Sequence, residues 1–261
     1  MEQIKNGKPN SIAQIPILIT SSITPHDTGV RLANPQQRLF HAIESIAHWL
    51  RVAPESSFVL CDGSNFDFGP IVRDRFPNAE IESLFFENDT TKIMSYGRGY
   101  GEGEIVKYAL KHSAFLAVST SFAKCSSKLW VENYKTCLKE WRGDCLFSGV
   151  FENSFSFSKR TEMVQVDTRF YIVNSDFYWK NFMNAHHHIG ESPGFGLEDS
   201  FFKTLQKIHQ TGYLFSLSPI IRGVGGATGK YYKDNWLRIY KEKVRLEIIK
   251  QSSTFRERFN L

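Results

Sequence analysis

The feature that most constrains the fold is an apolar run ending abruptly in small polar residues: Phe58-Val59-Leu60-Cys61 passes straight into Asp62-Gly63-Ser64. Four consecutive apolar residues without polar alternation describe a strand covered on both faces, as in a parallel sheet flanked by helices. Ligands of such sheets bind beyond the carboxyl ends of the strands. A carboxylate and a hydroxyl delivered there, with a glycine between them, can meet a ribose or a base amide at close range. The same three residues also suit an ordinary turn.

The flanking segments repeat the pattern. Residues 15–20 (IPILIT) form an apolar run that ends in Thr20-Ser21-Ser22, and residues 81–86 (IESLFF) form another. Between them, residues 36–52 carry Leu39, Ile43, Ile46, Trp49 and Leu50 at helical spacing, and residues 71–75 suit a short helix. Strand, helix, strand, helix, strand predicts a parallel, right-handed α/β layer. Further along, residues 104–112 and 176–186 read as helices, and residues 146–151, 165–174 and 213–219 as strands. Residues 128–134 (KLWVENY) read as a strand or strand end, a helix runs from Leu197 to about His209, and a basic helix occupies residues 232–245. Residues 115–120 fit neither state. The 261 residues, 41% hydrophobic, suffice for one large core. The expected organisation is a polar arm at 1–14, a domain at 15–235 and a basic helical tail at 236–261.

A net charge of +5 is too weak for a dedicated nucleic-acid binder and suits an enzyme of anionic nucleotides, or one resting on an anionic membrane face. Cys61, Cys125, Cys137 and Cys145 match neither a zinc pattern nor a CxxC redox pair. With no secretory signal at the N-terminus, the expected compartment is the cytoplasm with reduced thiols. No run of about 18 apolar residues exists to cross a bilayer.

Glycines alternate at Gly97, Gly99, Gly101 and Gly103, with Arg98, Glu102 and Glu104 among them, ahead of a helix-patterned stretch. Each glycine disfavours folding by roughly 0.5–1 kcal/mol relative to alanine, so their accumulation predicts close backbone approach, as in an anion-binding loop. Lys124 and Lys128 could neutralise a diphosphate or simply face solvent. Asp167 and Arg169 share one strand face, as a salt bridge or a substrate contact. Glu198 and Asp199 open a helix, where acids favour the dipole, or where one could deprotonate a hydroxyl. His186-His187-His188 reads as a polar helix end, because consecutive side chains diverge.

In this order the pieces resemble a bacterial GT-A-type glycosyltransferase, of the sort that builds capsule or lipopolysaccharide. The resemblance rests on the hydroxyl-tipped first strand, VLCDGSNFD (59–67), GRGYGEGEIVKYAL (97–110), KCSSKLWVENY (124–134), VDTRFYIVNSDFY (166–178) and GFGLEDSFF (194–202). It implies one GT-A-like α/β domain with a Rossmann-like parallel sheet, helices on both faces and a basic C-terminal helix. It also implies a nucleotide-sugar donor and a glycan or lipid-linked acceptor, with peripheral membrane contact and no nucleic acid. Donor binding then falls to Thr20, Ser21, Asp62, Gly63, Ser64, Arg98, Gly99, Gly101, Glu102, Lys124 and Lys128, and acceptor binding to Asp167 and Arg169. Glu198 and Asp199 would be catalytic, Asp199 matching the second acid of the family motif. The sequence departs from the family in lacking Asp-x-Asp, so activity is expected without Mn²⁺ or Mg²⁺, lysine and arginine neutralising the leaving phosphate. Two rival classes are a nucleotidyltransferase acting on a sugar phosphate and a non-catalytic carbohydrate-binding module. The first usually carries a glycine- and arginine-rich loop after strand one, whereas residues 20–34 hold only Gly29.

Overall fold

The computed structural model describes residues 15–259 except 28, 157, 191–193 and 234–235; the N-terminal arm lies outside the described residues. β1 (Ile17–Ser21), β2 (Phe58–Asp62) and β3 (Ile81–Phe85) form where the apolar runs predict strands. They pair in parallel, Ile17 opposite Phe58 and Phe58 opposite Ile81. β4 (Ser121–Ser126) joins β1 in parallel on its other side. β6 (Cys145–Glu152) and β7 (Glu162–Asn174) complete a six-stranded sheet of order β3-β2-β1-β4-β7-β6. The sheet departs from a purely parallel one at β7, which runs antiparallel to both β4 and β6. A smaller antiparallel sheet has the order β5-β8-β9, built from β5 (Leu129–Val131), β8 (Ile221–Val224) and β9 (Tyr231–Tyr232).

Alternation along the strands makes two cores, one on each face of the sheet. Ile17, Ile19, Phe58 and Leu60 pack with α1 (Pro35–Val52), α2 (Gly69–Arg75) and α6 (Tyr134–Lys139). Leu18, Val59 and Cys61 join a core that also takes side chains from α3 (Thr90–Tyr96), α4 (Arg98–His112), α5 (Ala114–Ala117), α7 (Ser175–Asn181), α8 (Leu197–Lys207) and α9 (Trp236–Gln251). Each large side chain so buried stabilises by about 1.5–3 kcal/mol. α1 starts where it does because the Asn34 side chain accepts the Gln37 N–H at 3.0 Å and Pro35 suits the first turn. Its inner face ends at Trp49, whose indole N–H reaches the Leu129 carbonyl at 2.9 Å and ties α1 to β5.

Three local expectations are corrected. The alternating glycines form the first two turns of α4, not a loop, with only Gly97 at positive φ (83°) as the break after α3. Gly99 lies against Ile189 and Leu197, Gly101 against Ile93, and Gly103 against the His186 ring, so these glycines are packing notches. The strand expected at 213–219 shrinks to a bridge of Leu214 with Phe147 of β6, because beyond it Glu140 accepts the Ser216 and Leu217 amides and Asn133 accepts that of Ile220. β4 is a strand that the hydrophobic pattern concealed, since Lys124 interrupts its apolar run while fully buried. The glycine-rich residues 222–230 open as β8 and turn only after Val224.

Asp62 closes the ligand edge of the sheet. Its carboxylate, fully buried, accepts from the Ile23 amide (2.9 Å), the Ser64 amide (2.7 Å) and hydroxyl (2.6 Å), and the Phe66 amide (3.3 Å). Those bonds hold the chain leaving β1 and the turn leaving β2 in one unit. Asp62→Ala would leave buried amides unpaired, and the expected loss is on the order of 3 kcal/mol. Urea denaturation checks it; a loss below about 1 kcal/mol would show that the turn holds itself.

Candidate active site

Beyond the carboxyl ends of β3, β2, β1 and β4 lies a cavity of about 300 Å³. Arg38 reaches it from α1, donating Nε to the Ser22 carbonyl (2.7 Å) and Nη1 to that of Leu32 (2.8 Å). Lys128 enters from the turn between β4 and β5, its Nζ 2.6 Å from the Ser127 hydroxyl. Both side chains line the cavity and both residues are buried. Among the described residues no carboxylate lies within ion-pair distance of either. Burial lowers the Arg38 guanidinium to about 10, with the Asp62 charge pulling the other way. Burial, and next the Arg38 charge, push the Lys128 ammonium well below the ordinary lysine value. Two buried basic side chains facing a cavity are costly to charge without an anion between them.

The backbone around this pair is specialised. Lys128 takes a left-handed conformation (φ 71°), uncommon for a residue with a side chain. Its carbonyl accepts the Val224 amide at 2.9 Å, and a Cβ at Gly223 would collide with that carbonyl oxygen. The following turn, Gly225 to Thr228, covers the cations, and a Cβ at Gly226 would stand 2.9 Å from Lys128 Cε.

A second set of charges forms the cavity's other wall. Lys124 pairs with Glu102 of α4 and donates to the Thr168 carbonyl of β7 at 2.8 Å. The Thr168 hydroxyl donates to Glu198 Oε1 at 3.0 Å. Burial pushes the Glu198 carboxyl above its ordinary value, and the Glu102 charge adds to the shift. A half-buried carboxylate held this way, its affinity for a proton raised, is suited to act as a base.

Of the residues singled out in the sequence, Thr20, Ser21, Arg98, Gly101, Glu102, Lys128, Arg169 and Glu198 line this cavity. Asp62, Gly63, Ser64, Gly99, Lys124, Asp167 and Asp199 do not. Asp62 is committed to the turn, with Ser64 bonded to it, and Lys124 is committed to Glu102. Asp199 accepts the Gly196 amide at 2.8 Å and caps α8, so of the two acids only Glu198 faces the cavity. Arg98 sits at the rim, 3.8 Å from Asp27. Asp167 lines a neighbouring cavity of about 470 Å³ bounded by β6, β8 and α9. Arg169 and Tyr232 line both cavities; Arg169 is bonded to Asp167 at 2.9 and 3.0 Å and lies 4.9 Å over the Tyr232 ring.

Sequence reasoning missed Arg38 and Asn88. For Arg38 a signal existed: it falls on the apolar side of α1, in phase with Ala42, Ile46 and Trp49. The histidine run is also corrected. His186 is buried, and in a 3-10 turn (Ala185–His188) its Nε2 and that of His187 both approach Glu104 Oε1, at 2.6 and 3.4 Å. These three ligand atoms lie within 4.8 Å of one another, a set able to hold a metal ion, away from the cavity. The His186 hydrogen bond lowers the Glu104 carboxyl to about 2.

No family model matches the sequence, and no curated protein sequence matches it. Among solved structures, a Desulfovibrio desulfuricans protein assigned as a nucleotide-diphospho-sugar transferase is 11% identical, with a TM-score of 0.46 over 75% of this chain and 77% of that one. A 4-diphosphocytidyl-2C-methyl-D-erythritol synthase from Anaerococcus prevotii is 8% identical, with a TM-score of 0.45 over 92% and 100%. The glycosyltransferase GlyE of Streptococcus pneumoniae is 9% identical, with a TM-score of 0.45 over 77% of this chain and 44% of its own. At these values the likeness is a loose one of chain path.

An anion entering between Arg38 and Lys128 favours the ammonium form of Lys128 and opposes its burial. Binding of inorganic pyrophosphate is therefore expected to take up as much as about one proton, which Lys128→Met abolishes. Titration calorimetry in buffers of different ionisation enthalpy measures it. Binding without buffer dependence would show Lys128 already charged.

Proposed function

We propose that the chain is a glycosyltransferase that moves a sugar from a nucleotide-sugar donor to a hydroxyl of a glycan or lipid-linked acceptor, in bacterial surface polysaccharide synthesis. The observation that carries this reading is the pair of buried basic side chains without a carboxylate partner, Arg38 and Lys128, in the same cavity as the half-buried Glu198. The polysaccharide context rests on the motif resemblance alone.

The chemistry follows from the charges. The bond from the sugar's anomeric carbon to the diphosphate oxygen breaks, its electron pair staying on the leaving group. Lys128, Arg38 and the amides of the Gly225–Thr228 turn stabilise that charge, in the role that a divalent ion fills elsewhere. The acceptor oxygen forms the new bond, and its proton passes to Glu198, which Thr168 orients. The neighbouring cavity, separated by Arg169 and Tyr232, offers room for the acceptor.

Turnover of a nucleotide-sugar in excess EDTA tests this assignment. Glu198→Gln is expected to lose at least about a hundredfold in kcat while keeping donor binding. Asp199→Asn is expected to retain turnover and to lose about 1 kcal/mol of stability or less. The group must be ionised to accept a proton, and its folded value lies above the ordinary 4.5. kcat/KM should therefore rise with pH through a midpoint above 4.5, a limb absent in Glu198→Gln. Normal turnover in that variant would remove the base from this mechanism.

The acceptor's lipid linkage draws on α9. No helix among the described residues is long and apolar enough to cross a membrane. Trp236 (73% exposed), Leu237 and Tyr240 (61%) project from the start of α9 among the exposed Lys233, Arg238, Lys241 and Lys243. Interfacial aromatics interleaved with cations match an anionic bilayer surface, and Arg238 and Ile239 also border the second cavity. In liposome flotation the protein should bind anionic vesicles and not neutral ones, and moderate salt should release it. Absence of binding to either would leave α9 as a solvated helix.

A further inference from the structure

We infer that Asn88 reads the base of the bound nucleotide through an N–H on the base edge; this rests on the nucleotide-sugar reading above. Asn88 follows β3 at the ligand edge of the sheet, is 4% exposed and lines the cavity. Its amide is oriented by its surroundings. Nδ2 donates to the Gly101 carbonyl at 3.2 Å, which only a donor can satisfy, so the acceptor Oδ1 is the atom left over. That oxygen is buried and has no partner. A buried acceptor without a donor is rare in a folded protein and points to a missing ligand.

Two neighbouring observations give the ligand its shape. A Cβ at Gly63 would collide with Asn88 Nδ2, so this glycine makes room for the amide. Ser21 Oγ is a second buried group without a partner, on a residue 4% exposed that lines the same cavity. The Gly63 amide donates to the Ser21 carbonyl (2.9 Å) and the Asn88 amide to that of Gly63 (3.0 Å), which sets Ser21 and Asn88 on either side of Gly63. A buried acceptor and a hydroxyl that both line the cavity suit a base edge on which a ring N–H adjoins a carbonyl. Uracil and guanine carry that edge; cytosine and adenine do not. Ile93 and Ile105 line the same end of the cavity and offer apolar contact to a ring.

The spacing agrees. Along the order β3-β2-β1-β4, Asn88 sits at one end and Lys128 at the other. Three strand spacings separate them, about 14 Å. That is on the scale of a nucleoside diphosphate from base edge to terminal phosphate, with the ribose over β2 and β1 and the phosphates at the Arg38–Lys128 pair.

Calorimetric binding of UDP, GDP, CDP, ADP and inorganic pyrophosphate to the wild-type chain and to Asn88→Ala decides it. The wild type should prefer UDP or GDP over CDP and ADP by about tenfold or more. In Asn88→Ala that preference should fall to about threefold or less, while pyrophosphate affinity, which reports an intact phosphate end, changes by less than about twofold. Methylating the ring nitrogen of the preferred nucleotide should reproduce the loss on the wild-type protein, whatever the variant does to folding. A preference that survives in Asn88→Ala, a preference for CDP or ADP, or indifference to the methyl group overturns the inference and leaves the transferase reading standing. Failure of every nucleotide and of pyrophosphate to bind the wild type overturns both.

Discussion

A lysine in the middle of a fully buried strand sets the terms for one half of this molecule. Lys124 on β4 has no route to water, and an ammonium so placed must be paired and hydrogen-bonded to be tolerated. Glu102 supplies the charge from α4, Ser126 a hydroxyl at 3.1 Å and Thr168 a carbonyl from β7. Sheet, helix and the antiparallel strand β7 thus meet at one atom. Thr168 then spends its hydroxyl on Glu198, so the same junction fixes the carboxylate that faces the cavity. Removing Lys124 would leave Glu102 as an uncompensated, half-buried charge beside Glu198.

The opposite wall follows different rules. Arg38 and Lys128 are left without carboxylate partners, and the negative charge that tempers them, Asp62, is itself tied up by backbone amides. One wall is neutralised within the protein and the other is completed only by an anion. This asymmetry gives the cavity a basic end at β4 and β1 and an acidic end at β7 and α8. The backbone accepts a left-handed Lys128 and a close-fitting Gly223 to keep that ammonium in place.

The glycines show how a correct premise led to a wrong element. Their accumulation at 97–103 did signal close approach, but the approaching groups are side chains of the protein. Gly99 and Gly103, one helical turn apart, accommodate Leu197 and His186, while Gly101 on the other side of α4 accommodates Ile93 and Asn88. Composition reports that something comes near a backbone; it does not report what. The same holds for the acids at 198 and 199, adjacent in sequence and alike in charge. A helix start turns one toward its own first amide and the other toward β7, and local sequence contains nothing that separates them.

The sequence by itself determined the elements whose energetics are local. Runs of apolar residues set β1, β2 and β3, helical periodicity and an Asn-Pro start set α1, and their alternation set an α/β sheet with its carboxyl edge at Thr20, Ser21 and the 62–64 turn. Only the tertiary structure decided the direction of β7, the existence of β4 as a strand, and the membership of the site. Those depend on groups far apart in the chain: Arg38 meets Lys128 across ninety residues, and Asn88 finds its place between Gly63 and Gly101. The physical reason is that a buried charge or amide is tolerated according to the partners the fold brings to it. Periodicity carries the burial of apolar surface, which each residue contributes alone, whereas electrostatic and hydrogen-bond satisfaction belongs to pairs.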